Sequence, residues 1–594
     1  MKKILQGNEA VARGAWEAGV TVGCAYPGIP SSKIMAELSK YKEIYTEWSP
    51  NEKVAVEVAH GASLAGGKAI ACMKHVGLNV AADPLMTIAY TGVKGGFVIV
   101  VADDPGQHSS QNEQDSRHWT RFGKVPMLEP ADSEECKDFT KIAFEISERF
   151  DTPVLLRGET RVSHCDSTLE LGERKESTVQ RGLDQKETPK LVMVPMYARV
   201  RRVAVEERIT KLAAYADTEF LYNSMEINDP SIGFISSGVS YLYTKEVFPR
   251  YSFLKLGMVW PLPRNMIAEF FKKVKKVIVV EELDPFFETE IKAMGYKVWH
   301  GKDLIPAIGE LSPSIVEQSL TKAVERKSYK APKVRIKPED LPRRPPNLCA
   351  GCSHRPLFYA LKKLGLYVFG DIGCYALAVA PLLSAMHALT CMAACVGGAY
   401  GAGKVLGDST FLHGGIGPLM DAVYNKGYST TLILDNRITA MTGQQEHPGT
   451  GYTIQSEPAS MIDYEQLARA VGVKHVKKVD PYKVKETMEV IREEVNRDDA
   501  SVIITENSLC ILLRRAKPLE KFKNPFYGVD TEKCRNCKVC LEINCPAISW
   551  QEGEGQTKDG HKRKGTGFIN KDQCVGCEVC AQICKFEAIV PGTK

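Results

Sequence analysis

Cysteines near the end of the chain carry the clearest chemical signal in the sequence. Eight of the 18 cysteines lie between Cys534 and Cys584, in two runs of C-x2-C-x2-C spacing that are each followed by one further cysteine. Such spacing lets one loop hold three corners of a [4Fe–4S] cubane, while the trailing cysteine binds the cluster of the other run. The pattern therefore predicts two iron–sulfur ligand sets. They are Cys534, Cys537, Cys540 and Cys584 (set A) and Cys574, Cys577, Cys580 and Cys545 (set B).

Two details depart from the usual pattern of two-cluster bacterial ferredoxins. Four residues instead of three separate Cys540 from Cys545, and Lys585 instead of proline follows Cys584. Neither change removes a ligand. Structural zinc is the alternative, because four-cysteine zinc sites also use C-x2-C pairs, but two triple-cysteine runs favour cubanes.

A run of charged residues from Lys558 to Lys564 separates the two cysteine runs. The favoured interpretation is the solvated tip of a hairpin, because most charge runs are exposed surface. A docking patch for an acidic electron carrier is the alternative.

A second candidate site combines a carboxylate with an amide. Gly407-Asp408-Ser409 is followed by Asn436 at the end of an apolar run, which resembles the thiamine-diphosphate signature except that Ser409 replaces a glycine. Mg²⁺ prefers an octahedron of hard oxygens. Asp408 would supply a carboxylate, Asn436 an amide oxygen and Ile438 its backbone carbonyl. Gly407 and the helix after it would bring backbone N–H groups to the phosphates. An ordinary turn in which Asp408 caps a helix is the alternative.

Thiamine chemistry also needs a glutamate that contacts the aminopyrimidine ring and promotes deprotonation of the thiazolium. The candidate is Glu52, in the segment Ser49-Pro50-Asn51-Glu52. The alternative is a capping box, in which Ser49 caps a helix, Pro50 takes its first position and Glu52 closes the box. On local sequence alone the capping box is favoured.

Parallel α/β domains are predicted to position these residues, because short β-branched runs alternate with helical patterns. The runs span residues 97–101, 232–235, 277–280, 432–434 and 502–504. In such folds ligands bind beyond the carboxyl ends of the strands. The fold class is therefore a multidomain α/β protein with parallel sheets and a C-terminal two-cluster ferredoxin-like domain.

Length and charge narrow the class of protein further. The 594 residues suggest about four domains. With 77 basic and 72 acidic side chains, the net charge of +5 gives no general electrostatic attraction for nucleic acid.

The segment 372–403 has no Asp, Glu, Lys or Arg, but Pro381 and several glycines interrupt it, which favours a buried segment beside a cofactor over a membrane span. The thiol-rich composition and the N-terminus, which lacks an apolar signal region, indicate a cytoplasmic protein.

Nearly the whole chain resembles the 2-oxoacid:ferredoxin oxidoreductases, and within that family the large subunits that act on indolepyruvate. The resemblance is carried by the motifs at residues 26–32, 51–55, 61–63, 371–375, 407–411 and 435–443 and by the cysteine repeat. It implies oxidative decarboxylation of an aromatic 2-oxoacid with coenzyme A, giving the acyl-CoA, CO2 and reduced ferredoxin. It also favours Glu52 as the cofactor-activating glutamate over the capping box.

The resemblance implies further cofactor contacts. Tyr26, Pro27 and Ile29 lie in the family's cofactor-binding turn, where Ile29 replaces a threonine expected to bond the substrate. Two consequences are open: backbone N–H groups near Ser31 and Ser32 recognise the carboxylate, or the chemistry is altered. Four more cysteines are implied as a third [4Fe–4S] ligand set near the thiamine, for which buried core thiols are the alternative. They are Cys349, Cys352, Cys374 and Cys510 (set C). Core packing is expected for Cys24, Cys72, Cys136, Cys165, Cys391 and Cys395.

The domain boundaries combine the resemblance with breaks in composition, such as five prolines between 327 and 346. We expect a pyrimidine-side thiamine-diphosphate domain over 1–190, a transketolase-C-terminal-like domain over 191–326, a linker over 327–346, a diphosphate-side domain over 347–520 and a two-cluster ferredoxin domain over 525–594. The expected partner is a smaller beta subunit that completes the coenzyme A-facing site, in a dimer of heterodimers. The alternatives are an electron-transfer or scaffold subunit, an oxidoreductase for another 2-oxoacid, and a non-oxidative thiamine decarboxylase or lyase.

Overall fold

A computed structural model of the chain describes residues 2–176, 187–324, 341–342, 345–402, 410–511 and 526–592. The chain divides into two compact units, Met1–Arg335 and Ile336–Lys594. Every β-branched run named above forms a strand, and the predicted α/β fold class is confirmed. Among the residues that the structure describes, no helix is both long and apolar enough to cross a bilayer.

The first unit alternates strands with helices along most of its length. Its strands are β1 (Lys2–Gln6), β2 (Val22–Ala25), β3 (Tyr45–Trp48), β4 (Ala69–Lys74), β5 (Phe97–Asp103), β6 (Met127–Leu128), β7 (Val154–Glu159), β8 (Asp166–Glu170), β9 (Ser224–Glu226), β10 (Asp229–Ser236), β11 (Tyr251–Lys255), β12 (Met258–Trp260) and β13 (Val277–Val280). Its helices are α1 (Gly7–Glu17), α2 (Ser32–Leu38), α3 (Glu52–Leu64), α4 (His75–Val80), α5 (Ala82–Thr91), α6 (Arg117–Gly123), α7 (Ser133–Phe150), α8 (Thr160–His164), α9 (Thr188–Leu191), α10 (Pro195–Thr218), α11 (Gly238–Val247), α12 (Arg264–Lys273), α13 (Phe286–Ala293) and α14 (Pro313–Leu320).

Two sheets organise this unit. The larger has the order β12-β6-β7-β5-β4-β2-β3 and is parallel except at β12, and the smaller has the order β13-β10-β11-β9 and is parallel except at β9. Strand β5 is buried along its whole length, as expected for a central parallel strand. Core residues of the two sheets belong to one buried cluster, which includes Phe97 and Ile99 of the larger sheet and Leu254 and Val279 of the smaller.

A buried arginine joins several carboxylates at the carboxyl edge of the larger sheet. Arg157 is 1% exposed and contacts Asp103 and Glu129, each at 2.8 Å, and Glu159 at 2.9 Å. Burial raises the pKa of Glu159 well above its usual value, and the Glu282 carboxylate adds to the rise. The guanidinium therefore neutralises carboxylates that cannot be solvated.

Replacing Arg157 by methionine is expected to destabilise the first unit by about 3–5 kcal/mol, because it removes one partner from a buried ionic network. Arg149→Met is the matched control, since Arg149 pairs with Glu219 at the surface, at 2.7 Å, and exposed pairs contribute little. Urea-induced unfolding of both variants measures the difference. Equal stability of the two variants would contradict the prediction.

The second unit joins a parallel sheet to two antiparallel ribbons. Its strands are β14 (Thr430–Ile433), β15 (His475–Val479), β16 (Ser501–Thr505), β17 (Tyr527–Val529), β18 (Ile548–Gln556), β19 (Lys562–Ile569) and β20 (Ile589–Pro591). Its α-helices are α15 (His354–Lys363), α16 (Ala394–Ala402), α17 (Ile416–Tyr424), α18 (Tyr464–Ala470), α19 (Val484–Val495) and α20 (Val579–Ile583). Segments Cys374–Val379 and Val539–Ile543 are 3-10 helices, and Phe411–Gly415 is a π-helical turn.

The parallel sheet has the order β14-β16-β15, and the ribbons are β17/β20 and β18/β19. One hydrophobic core connects them, because Leu432 and Ile503 of the sheet belong to the same buried cluster as Ile569 and Ile589 of the ribbons. The cysteine repeat is thus packed against the parallel sheet within one unit.

The charged run between the cysteine runs occupies the hairpin of β18 and β19, as the hairpin interpretation predicts. Lys558 pairs with Glu532 at 2.7 Å, and Asp559 pairs with Arg535. Two charges of the run, those of Lys558 and Asp559, are thus compensated within the domain, and the docking patch stays an alternative.

The uncharged segment from residue 372 is only partly buried. Val379 is 63% exposed and Leu382 is 53% exposed, whereas Tyr375 and Ala378 of the preceding 3-10 helix are buried. The expectation of a buried segment is therefore wrong around residues 379–382. The cause is the backbone, because a 3-10 helix followed by an irregular stretch cannot turn one continuous face inward.

Candidate active site

Glu52 is the first residue of α3, directly after strand β3. Asn51 caps this helix, since its side-chain oxygen accepts the N–H of Val54 at 3.0 Å, while the Ser49 hydroxyl donates to Glu47 at 2.8 Å. The capping-box alternative is therefore wrong, because Ser49 is not the cap and Pro50 is not helical. The Glu52 side chain is buried at the carboxyl edge of the larger sheet.

Two neighbours fix the surroundings of Glu52. A Cβ added at Gly77 would lie 2.6 Å from Glu52 Oε1. Only glycine at this position therefore lets α4 lie so close to the carboxylate. Burial lowers the pKa of Lys74, and the carboxylates of Asp104 and Glu52 oppose that shift. The edge thus holds a buried carboxylate near a cation at the ends of β3, β4 and β5.

The turn after β2 adjoins the same edge. Tyr26 is buried, and a Cβ at Gly28 would lie 3.1 Å from the Lys74 side chain. The backbone carbonyl of Ile29 accepts a hydrogen bond from the Ser109 hydroxyl at 3.2 Å. The structure therefore places Tyr26, Pro27 and Ile29 in a turn that touches Lys74, a neighbour of Glu52.

The serines of this turn bond to the turn itself. The Ser32 backbone N–H donates to the Gly28 carbonyl at 2.9 Å, and the Ser31 hydroxyl donates to the same carbonyl at 2.9 Å. The N–H of Ser32 therefore has a partner within the turn, and substrate recognition by backbone N–H groups near Ser31 and Ser32 stays a prediction.

The second unit places Asn436 and Ile438 just beyond strand β14. Both are buried, and the Asn436 side-chain oxygen accepts the N–H of Ile438 at 3.2 Å. The other predicted residues of this site, Gly407, Asp408 and Ser409, lie outside the described residues. The structure thus brings together two of the three candidate magnesium ligands.

A cavity of about 750 Å³ opens at this carboxyl edge. Ile438 and Asp435 line it after β14, and Asn507 and Ser508 line it after β16. Arg437 pairs with Asp435 at 2.6 Å. Its size lies in the range of cofactor pockets, roughly 300–1,000 Å³. Its position beyond the carboxyl ends of β14 and β16 is where ligands bind in parallel α/β folds.

The cysteine repeat surrounds two small cavities of about 20 Å³ each. All four cysteines of set B line one cavity, and all four of set A line the other. Each trailing cysteine, Cys545 or Cys584, thus lies with the run that is distant in sequence. Burial raises the pKa of Cys577 and of Cys540 to about 11 each, and neighbouring thiolates add to the rise. Four crowded thiols fit a cationic cluster core, although ligation itself stays a prediction.

Three cysteines of set C also approach one another. Burial raises the pKa of Cys352 to about 12, and the Cys349 and Cys510 thiolates contribute to the rise. The backbone N–H of Cys510 donates to the Asn436 carbonyl at 3.0 Å, which links this group to the diphosphate side. Cys374 begins a 3-10 helix that packs against α15. Cys349 is exposed, whereas Cys352 and Cys374 are partly buried against the hydrophobic core, so the third ligand set stays a prediction.

The loop between Cys349 and Cys352 meets the loop of set B directly. Ala350 and Gly351 line the same cavity as set B, and a Cβ at Gly351 would lie 2.1 Å from the Val575 side chain. Gly351 also has a φ of +71°. Sequence reasoning missed this contact, because nothing in the local pattern marks Gly351 beyond its place in a C-x2-C pair.

Gly351→Ala is expected to destabilise the second unit by about 1–3 kcal/mol from overpacking, in addition to roughly 1–2 kcal/mol of left-handed backbone strain. Gly365→Ala is the matched control, because its φ of +66° imposes the same strain with no atom within 4 Å. Thermal unfolding and iron retention measure both variants. Equal effects would show that the Val575 contact costs nothing.

The remaining cysteines divide into two groups. Cys24, Cys72, Cys136 and Cys395 are buried, as expected for core packing, whereas Cys165 and Cys391 are exposed. Core packing is therefore wrong for these last two.

Three models of known domain families match parts of this chain. Residues 13–220 match the model of the thiamine-diphosphate-binding domain of pyruvate flavodoxin/ferredoxin oxidoreductases. Residues 371–505 match the C-terminal binding domain of thiamine pyrophosphate enzymes, and residues 568–590 match the 4Fe-4S binding domain. Glu52 lies in the first match, and Asp408, Asn436 and Ile438 lie in the second.

Curated relatives match over almost the full chain. Indolepyruvate oxidoreductase subunit IorA of Archaeoglobus fulgidus is 41% identical over 99% of this chain and 97% of its own length. The chain belongs to the 2-oxoacid:ferredoxin oxidoreductase family. IorA subunits of Methanothermobacter marburgensis and Pyrococcus horikoshii are 40% and 38% identical over 99% of this chain and 97% and 96% of their own lengths. The predicted family, thiamine diphosphate and iron–sulfur clusters are thereby confirmed, and the chain is a thiamine-diphosphate-dependent oxidoreductase of this family.

Proposed function

We propose that this chain is the large subunit of an enzyme that oxidatively decarboxylates an aromatic 2-oxoacid of the indolepyruvate type. Coenzyme A takes up the acyl group, and ferredoxin accepts the electrons. The observation that carries the proposal is the identity of 38–41% to three IorA subunits over nearly the whole chain. The division into pyrimidine-side, transketolase-C-terminal-like, diphosphate-side and ferredoxin domains is proposed with the boundaries given above.

Thiamine diphosphate supplies the electron sink for decarboxylation when it is bound. Glu52 is proposed to hold a proton against the aminopyrimidine ring, and its burial beside Gly77 supports this role because the carboxylate has a fixed position. Asp408, Asn436 and the Ile438 carbonyl are proposed to bind Mg²⁺ and the diphosphate. The cavity that Ile438 lines supports the assignment.

Electrons are proposed to pass from set C through set B to set A. Ala350 and Gly351 lie in the loop of set C and also line the cavity of set B. This proximity supports the transfer from set C to set B. Cys537 of set A is exposed, which suits the cluster from which ferredoxin takes electrons. Structural zinc at these sets would not explain the arrangement, because zinc does not transfer electrons.

A smaller beta subunit is proposed as the partner, in a dimer of heterodimers. The relatives are each named as one subunit of an oxidoreductase, which supports a second chain in the enzyme. The partner is expected to complete the site that faces coenzyme A.

The test is anaerobic purification with the partner, followed by an assay of coenzyme A-dependent viologen reduction across aromatic, branched and dicarboxylic 2-oxoacids. Indolepyruvate and related arylpyruvates are expected to give the highest kcat/KM. A preference for another 2-oxoacid would replace the substrate and keep the enzyme class.

A subunit that serves only as an electron carrier or scaffold is the second candidate, because Ile29 cannot donate the hydrogen bond of the family's threonine. Full iron and thiamine content with no reduction by any 2-oxoacid would favour it over catalysis.

A further inference from the structure

Arg355 connects two cysteine loops that are far apart in sequence. Its Nε donates to the carbonyl of Cys349 at 2.8 Å, and Nη2 donates to the carbonyl of Leu348. Nη1 donates to the carbonyls of Ile543 at 3.1 Å and of Asn544. One planar guanidinium therefore holds the loop that begins set C and the loop that ends in the Cys545 ligand of set B.

The guanidinium is buried, and no acidic side chain of the described residues pairs with it. Arg355 is 2% exposed, and across the described parts of the chain no carboxylate lies in ion-pair contact with it. The groups that it faces are cysteine sulfurs of sets B and C, which are thiolates when they bind a cluster. They are Cys545, Cys352, Cys349 and Cys577. A buried cation is costly unless it is compensated, so cluster-bound thiolates are the natural compensation.

A cation in this place acts on electron transfer in two ways. Reduction adds negative charge to a cluster, so a nearby buried positive charge favours the reduced form and raises the reduction potential. The five N–H donors of arginine form a rigid fork that can bond both loops at once, which the ammonium group of lysine cannot reproduce.

We propose that Arg355 is a positioning residue for electron transfer, which clamps the loops of sets B and C together and raises the reduction potentials of the clusters on both sides. The step concerned moves one electron from the cluster of set C, which is oxidised, to that of set B, which is reduced. No bond breaks and no proton moves. The inference rests on the proposed function, because it requires clusters at both sets.

The experiment compares Arg355→Gln, Arg355→Lys and the parent enzyme with its partner. Arg469→Gln is the control, since Arg469 pairs with Glu465 on the exposed face of α18 in the same unit. Iron content is measured first, because a parent enzyme with iron for fewer than three clusters would contradict the proposed function and not the role of Arg355. Redox titration followed by electron paramagnetic resonance then gives the midpoint potential of each cluster.

Arg355→Gln is expected to lower the midpoint potentials of the clusters of sets B and C by about 59 mV or more. This shift corresponds to a tenfold change in a one-electron equilibrium constant. The third potential, that of set A, is expected to stay unchanged, because Arg355 faces none of its thiolates. Arg355→Lys is expected to keep all three potentials close to the parent values and to slow viologen reduction, because it keeps the charge and loses the fork. Arg469→Gln is expected to match the parent.

Three results would overturn the proposal. The first is Arg355→Gln with full iron and three unchanged potentials. The second is a lysine variant whose potentials fall as far as those of the glutamine variant, because the charge would then be irrelevant. The third is loss of iron in both variants while Arg469→Gln keeps it, because Arg355 would then serve assembly alone.

Discussion

Glu52→Gln is expected to lower 2-oxoacid-dependent viologen reduction by about 10²–10⁴-fold, the usual contribution of a positioned acid–base group. The amide keeps the size of the side chain but cannot exchange a proton with the aminopyrimidine ring. Thiamine diphosphate content should stay close to that of the parent, because the Mg²⁺ and diphosphate ligands are untouched. Stopped-flow reduction and cofactor analysis measure the two quantities separately.

The matched control is Glu57→Gln on the same helix. Glu57 pairs with Lys53 at the surface of α3, so its loss should leave the rate unchanged. A Glu52→Gln enzyme with the parent rate would remove Glu52 from the proposed mechanism. Equal loss in both variants would instead point to a general effect on α3.

The sequence predicted the elements whose signal is local. The run at residues 97–101 became the buried centre of strand β5, since β-branched residues between turn signals favour a covered parallel strand. The grouping of Cys545 and Cys584 with the opposite runs was also predictable, because the trailing cysteine of each run binds the other cluster in the two-cluster ferredoxin pattern.

Other features required the folded chain. Arg355 and Gly351 matter because of residues that lie more than a hundred positions away, so no periodicity or motif marks them. The cap of α3 was assigned to Ser49 because that residue fits a capping box, whereas Asn51 competes for the same helix end and caps it. Local sequence preferences identify both residues as possible helix caps, and the packing of the folded chain decides which of them caps the helix.

The exposed cysteines illustrate the same limit. Cys165 and Cys391 are exposed, whereas Cys24 and Cys72 are buried, although cysteine as a residue type predicts core packing for all four. The exposed pair therefore offers control positions for thiol substitutions, since neither lines a cluster cavity.

Cys545→Ser is expected to remove the cluster of set B, although Cys545 follows the first cysteine run. The rate of ferredoxin reduction should fall by more than roughly 100-fold. Loss of a residue that only hydrogen-bonds to a metal ligand already costs up to about 100-fold, and loss of the ligand itself should cost more. The physical reason is the cavity that Cys545 shares with Cys574 and Cys577, which places its sulfur with the second run. Electron paramagnetic resonance of the reduced variant should therefore lack the same signal as Cys577→Ser.

Cys584→Ser supplies the reciprocal comparison, because Cys584 follows the second run but lines the cavity of Cys537. Its spectrum should match that of Cys537→Ser, with the cluster of set B intact. Cys165→Ser controls for thiol loss at the surface and should keep every signal. If Cys545→Ser matched Cys537→Ser instead, each run would bind its own trailing cysteine. Cys545 and Cys584 would then have to change places between the two sets, whereas the contact of Gly351 with Val575 would keep the second run next to set C.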